Sequence, residues 1–111
     1  MAGTCTTFGA SSEISYVRGY PAVVNDAAMA EMVKDVARAS LGEQSVAEID
    51  PVMGGEDFAY FLQKVPGAFL FFGMGDGTSY PHHNPGFDMD EKALPQATLL
   101  MSSLALHYLN S

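Results

Sequence analysis

Two adjacent histidines, His82 and His83, stand between Pro81 and Pro85, with Asp88 and Asp90 close behind. Neutral imidazole is the commonest side-chain ligand of transition metals, and flanking prolines lower the entropy lost in holding it still. A bare His-His pair in a loop is still a surface feature more often than a ligand. The second suggestive stretch is Gly54-Gly55-Glu56-Asp57-Phe58. Glycines let a backbone approach a ligand closely, and a helix starting there would offer free N–H groups to an anion. Taken alone, a plain turn and cap is the stronger reading.

The elements that must carry these stretches can be read from periodicity. Glu13-Ile14-Ser15-Tyr16-Val17-Arg18 alternates polar and apolar residues, as a half-exposed strand does, and Gly19-Tyr20-Pro21 ends it. Asn25 and Asp26 are both good helix caps. Behind them Met29, Met32, Val33, Val36, Ala37 and Ser40 recur at spacings of three and four, which predicts an amphipathic helix over Ala27–Leu41 with Gly42 as its stop.

Ser45 to Ile49 reads as a short strand, and the Pro51 to Gly55 turn leads into a helical segment from Glu56 to Gln63. The unbroken apolar run Ala68-Phe69-Leu70-Phe71-Phe72 suggests a strand covered on both faces. Gly73 to Phe87 is a long loop, and loops of that length are usually functional. A last helix runs from about Leu94 to Leu109 with Pro95 at its first full position, after a separate turn at Asp90 to Ala93. The order strand-helix-strand-helix-strand-helix predicts an α/β fold, a mixed sheet with the two long helices packed on it. The small, polar start, Met1 to Ser12, is expected to be loosely ordered.

Composition narrows the function classes. The 111 residues hold 5 Lys+Arg against 13 Asp+Glu, a formal charge of −8, while 48% of the chain is hydrophobic. Such a chain can fold, and its charge repels phosphate backbones and anionic lipid headgroups, so nucleic-acid and membrane-surface roles are not expected. The charge sits in the middle: residues 1–42 sum to −1, residues 43–91 to −8 and residues 92–111 to +1. That is most often a solvated face, but it also suits the surroundings of a cation. Cys5 is the only cysteine, which excludes an internal disulfide. The longest apolar stretch, Ala68 to Met74, is too short to span a bilayer, and no signal-peptide pattern opens the chain, so the cytoplasm is the expected location.

Read together, the segments carry more than each does alone. Gly19 to Asp26, then Met53-Gly54-Gly55-Glu56-Asp57-Phe58-Ala59-Tyr60-Phe61, then Val65-Pro66-Gly67-Ala68-Phe69 with Gly73-Met74-Gly75, then His83-Asn84-Pro85 and Phe87 to Glu91 stand in a fixed order. Over residues 13–109 this resembles the C-terminal portion of the metal-dependent amidohydrolases related to hippurate hydrolase, indole-acetyl-amino-acid hydrolase and the aminoacylase-like metallopeptidases.

The resemblance implies a partial catalytic domain of a two-metal hydrolase. Residues 1–20 would hold a loose N-terminus and the last strand of an inserted lid domain, and residues 21–111 the C-terminal part of the catalytic domain. His83, two residues before Pro85, matches the family's late metal ligand, and His82 is its neighbour. Gly54, Gly55, Glu56 and Asp57 would line the substrate wall. The implied cofactor is a divalent metal (zinc, manganese or cobalt), and the implied substrate an N-acyl amino acid or peptide-like amide.

The family's early Cys/His-Asp-X-His segment and its middle Glu-Glu segment are not in this sequence. A two-metal hydrolytic site needs several protein ligands and a base within hydrogen-bond reach, so the chain is expected to be inactive alone and to hold metal weakly at most. Three readings follow: a piece of an amidohydrolase, a stand-alone oligomeric binding module that has lost catalysis, or an inert soluble fragment. A homo-oligomer is expected, because strand edges and helix faces suited to burial would otherwise lie open.

Overall fold

The computed structural model describes residues 2–75 and 77–111. The small, polar start of the chain, expected to be loose, closes into a short helix, α1 (Ala2–Thr7). Two backbone bonds fix its end: Ala10 N–H donates to the Cys5 carbonyl at 2.9 Å, and Gly9 N–H to that of Thr6 at 3.1 Å. That pattern needs a left-handed residue after the helix, and Gly9, at φ 66°, supplies it without a Cβ clash. Met1 and Asp76, which belong to the stretches expected to be loose or looped, lie outside the described residues.

Helix α2 (Ala27–Leu41) has the expected bounds. Asp26 Oδ1 accepts the Met29 N–H at 3.0 Å, which satisfies one of the open donors of the first turn. Gly42, at φ 101°, stops the helix, and residues Glu43–Ser45 follow as one turn of 3-10 helix. Helix α3 (Ala59–Leu62) is shorter than the expected Glu56 to Gln63. The reason is local: the Glu56 carboxylate accepts the Phe58 N–H at 3.1 Å, a side-chain bond that competes with helix formation. Helix α4 (Leu94–Leu109) carries Pro95 in its first turn, behind a 3-10 turn at Glu91–Ala93 that Asp90 caps through the Lys92 N–H.

The core is a helix pair. Val36 and Ala37 of α2 are buried against Leu100 and Leu104 of α4, and Met32, Val33, Leu41, Val46, Leu70 and Phe72 pack partly buried around them. Leu100 and Leu104 are four apart and so lie on one face of α4, where each contributes about 1.5–3 kcal/mol by leaving water.

The expected mixed sheet is not formed: among the described residues no strand is present, and the fold is helical with irregular connections. The three candidates fail for one physical reason, the lack of a lateral partner. Residues 13–18 are exposed throughout and have no backbone hydrogen-bond partner among the described residues. Ser45 is drawn into the 3-10 turn, its hydroxyl donating to the Ala37 carbonyl at 3.1 Å, and among the described residues no backbone bond holds residues 46–49. Among the described residues, the backbone of residues 68–72 is hydrogen-bonded by one side chain, that of Asn25 at Phe69, in place of a neighbouring strand. A strand is a ladder property, and apolar residues of the right type do not make one without a second chain segment alongside.

The molecule is correspondingly open. Its radius of gyration is 20.1 Å, with extents of 64 × 36 × 19 Å, against about 13 Å for a compact domain of this length. Among the described residues no helix is long and apolar enough to cross a membrane.

Candidate functional site

The glycine turn is built from three neighbours. A Cβ added to Gly55 would lie 3.2 Å from Cδ2 of the Tyr20 ring, so the ring rests on the glycine backbone. Tyr20 also meets Tyr60 edge-on, with ring centroids 6.0 Å apart. The end of the Gly19-Tyr20-Pro21 connection is thereby tied to the turn and to α3. Gly54 and Gly55 are exposed, as a backbone wall for a ligand requires, and Asp57 is exposed beside them. The Glu56 carboxylate is half-buried and occupied by the Phe58 N–H.

The histidine loop is folded on itself. Asn84 N–H donates to the Pro81 carbonyl at 3.3 Å and Phe87 N–H to the Asn84 carbonyl at 2.9 Å. The Asn84 side chain accepts the Gly86 N–H at 2.8 Å. The Tyr80 ring lies so close to Gly86 that a Cβ there would come within 2.8 Å of it, so any larger residue would displace the ring. The His82 ring stands edge-on to Phe87, with centroids 5.1 Å apart. Among the described residues, His83 is the non-glycine residue held at positive φ, 65°. Left-handed backbone at such a residue costs of order 1 kcal/mol and is tolerated where the surroundings impose it. Packing thus engages His82, while His83 sits at the exposed, strained corner. The loop is anchored behind by the Asp90 N–H, which donates to the Met74 carbonyl at 2.8 Å.

No hydrogen bond, ion pair or ring contact among the described residues joins Gly54–Asp57 to His82 and His83. Nor do three His, Cys, Asp or Glu side chains converge anywhere among them. The residues present do not by themselves fit a divalent ion, since such a site takes at least three protein ligands.

A trench of about 1290 Å³ lies beside the core. Its floor is made by α2 and α4 through Val33, Ala37 and Leu100, and its two walls are residues 46–52 and 68–73. Lys34 sits on its rim, donating to Glu31 at 2.9 Å and to Glu48 at 2.8 Å. The hydrogen bonds to Glu48 and Glu31 hold the Lys34 ammonium above its ordinary pKa, and the bond from Lys34 holds the Glu48 carboxyl below its own.

Sequence reasoning missed three contacts: Asn25 on Phe69, Tyr20 on Gly55 and Tyr80 on Gly86. The first had a signal, because Asn25 and Asp26 are both cap residues and one helix start uses only one.

The description "Peptidase family M20/M25/M40" matches residues 6–107. The amidohydrolase YhaA of Bacillus subtilis is 43% identical over 109 residues, which are 96% of this chain and 28% of that protein. Thermostable carboxypeptidase 1 of Saccharolobus solfataricus is 33% identical over 99% of this chain and 28% of its own length. IAA-amino acid hydrolase ILR1-like 4 of Arabidopsis thaliana is 38% identical over 81% of this chain and 21% of its own. The chain therefore spans between about a fifth and three tenths of the length of these three relatives.

Proposed function

Because the chain belongs to peptidase family M20/M25/M40, we propose that it works as the C-terminal part of a metal-dependent hydrolase that cleaves the amide bond of N-acyl amino acids or similar small amides. The observation that carries this reading is the family match over residues 6–107, together with relatives named as amidohydrolase, carboxypeptidase and amino acid hydrolase. The chemistry assigned to each residue follows from its surroundings.

His83 supplies one metal ligand. The loop around it is locked by Asn84, Tyr80 and Gly86, and the ring contact with Phe87 occupies His82, so His83 is the imidazole left free to turn outward. The remaining ligands and the general base come from polypeptide outside these 111 residues. A zinc, manganese or cobalt ion bound there would polarise the scissile carbonyl and acidify a bound water. The chain's own part is positional. Gly54 and Gly55 present backbone to the substrate, Tyr20 holds that backbone in place, Glu56 fixes the turn through Phe58, and Asp57 adds negative charge at its rim.

The test is hydrolysis of an N-acetyl amino acid with added zinc, manganese or cobalt. The chain alone is expected to be inactive. Co-expressed with a relative from which the matched segment has been deleted, it should restore hydrolysis, and His83→Ala should abolish the restored activity. Restored activity that survives His83→Ala would overturn the ligand assignment, and a soluble complex without any hydrolysis would overturn the reaction.

A further inference from the structure

The Gly54–Gly55 backbone has little of its own to hold it. Among the described residues no backbone hydrogen bond involves residues 46–55. Leaving chain neighbours aside, a Cβ at Gly54 would meet nothing within 4 Å. At Gly55 it would meet Cδ2 and Cε2 of Tyr20, at 3.2 and 3.9 Å, and no other atom in that range. What steadies this turn from the side is therefore a ring from a distant part of the sequence. The ring is itself wedged, because Tyr60 stands edge-on to it, with an interplanar angle of 81°. Tyr60 is fixed in turn: its N–H donates to the Asp57 carbonyl at 3.0 Å, and its neighbour Ala59 is buried. Ring carbons make the contact with Gly55, so the hydroxyl has no part in it.

Tyr20 also stands where an untied segment meets a tied one. Downstream, Asn25 and Asp26 are bonded to Phe69 and Gly67. Upstream, residues 11–19 are exposed and have no backbone hydrogen-bond partner among the described residues. We propose that Tyr20 is a positioning residue through which the segment ending at Gly19 sets the place of the Gly54–Gly55 backbone, and with it the affinity for substrate. The proposal rests on the hydrolase reading for the identity of that substrate. Its energetic basis is preorganisation: a turn held in place beforehand loses less freedom when substrate docks on it. An effect of this kind falls on KM and spares kcat, since Tyr20 is not assigned to the reacting groups.

The experiment is steady-state hydrolysis of an N-acetyl amino acid by the chain co-expressed with a relative lacking the matched segment. Tyr20→Ala should raise KM about tenfold and leave kcat within about twofold, whereas Tyr20→Phe, which keeps the ring, should match the parent. Gly55→Ala aims its Cβ at the ring. It should raise KM in the parent but add less than about twofold to Tyr20→Ala, because both changes act on one contact. Two glycines inserted between Arg18 and Gly19 should likewise raise KM only where the ring is present. Equal effects in both backgrounds, a fall in kcat with KM unchanged, or a Tyr20→Phe variant as impaired as Tyr20→Ala would each overturn the proposal. The contact has a second readout that needs no substrate, the proton resonances of Gly55 in the 111-residue chain. The Tyr20 ring current should displace them in the parent and in Tyr20→Phe but not in Tyr20→Ala. A complex that hydrolyses nothing overturns the hydrolase reading, whereas Gly55 resonances indifferent to Tyr20→Ala overturn the positioning role itself.

Discussion

The side-chain amide of Asn25 brackets the backbone of Phe69: its Nδ2 donates to the Phe69 carbonyl at 2.9 Å and its Oδ1 accepts the Phe69 N–H at 2.8 Å. One residue on, the Asp26 N–H donates to the Gly67 carbonyl at 2.9 Å. The entry to α2 thus does for the 67–69 segment what a neighbouring strand would do, and it sets the position of the aromatic row Phe58, Phe69 and Phe71, whose successive ring centroids lie 5.7 and 5.4 Å apart.

Asn25→Ala removes both bonds to Phe69. At about 0.5–1.5 kcal/mol net per bond, the expected loss is about 1–3 kcal/mol, toward the lower end because the pair is exposed to water. Asn25→Asp keeps the acceptor for the N–H but sets a carboxylate against the Phe69 carbonyl, so it should not rescue. Urea unfolding followed by circular dichroism measures both, and an unchanged midpoint for Asn25→Ala would show that the bracket is incidental.

The two long helices were legible and the sheet was not, and the two outcomes have the same cause. The ends of α2 are written within four residues of themselves, in Asp26 and Gly42, and α4 has its proline and its apolar spacing. Strand residues such as Phe69 to Phe72 declare only a preference, and realising it takes a partner that this sequence does not provide. At the site, the reading of His83 as a ligand came from its place before Asn84-Pro85. Its left-handed backbone and the packing of His82 on Phe87 depend on how the loop closes, which spacing does not encode.

Val36→Asp should abolish cooperative unfolding. Val36 is 7% exposed and packs with Ala37, Leu100 and Leu104 in a core with no buried polar partner for a carboxylate. Burying an unpaired charge costs several kcal/mol, which is comparable to the whole stability of a small domain at about 5–15 kcal/mol. Leu104→Ala is the milder control, at about 2–5 kcal/mol. A Val36→Asp variant that melts like the parent would mean that this helix face is not core.

The Lys34–Glu48 pair ties α2 to the wall of the trench and should give stability a definite pH profile. Glu48 titrates below its ordinary 4.5, so its contribution is present above that value and is lost as pH falls through the lowered pKa. Lys34 titrates above its ordinary 10.5, so its contribution is present below that value and is lost as pH rises through the raised one. Glu48→Gln should flatten both limbs relative to the parent. Both groups face solvent, so the difference should be small and should shrink in high salt. Melting temperature against pH at low and high salt is the measurement, and limbs that persist in Glu48→Gln would assign them to other groups.

Metal binding should separate the two histidines. The chain is expected to bind cobalt or zinc weakly, and His83→Ala should weaken that binding more than His82→Ala. His82→Ala should instead loosen the loop, because it removes the ring contact with Phe87. Titration by cobalt absorption, with metal analysis after dialysis, reads both effects. A tight stoichiometric site in the single chain, or the reverse order of the two variants, would refute the assignment.

The chain should not be monomeric in solution. Helix α4 has no Asp, Glu, Lys or Arg between Leu94 and Leu109, and on the side away from Leu100 and Leu104 it exposes Leu99, Leu106 and Leu109. Large apolar side chains exposed on the outer side of a helix are what an interface ordinarily covers. The net charge of −8 opposes association, but at physiological salt its repulsion is screened beyond about 8 Å. Apolar contact, worth about 25 cal/mol per Å² buried, therefore decides the outcome. A dimer or larger species is expected at micromolar concentration by sedimentation. Leu99→Glu combined with Leu106→Glu should shift it to monomer with no loss of helical signal, because neither side chain belongs to the Val36–Leu104 core. A parent mass near 11.8 kDa, without dye-binding apolar surface, would show instead that α4 tolerates its exposed face.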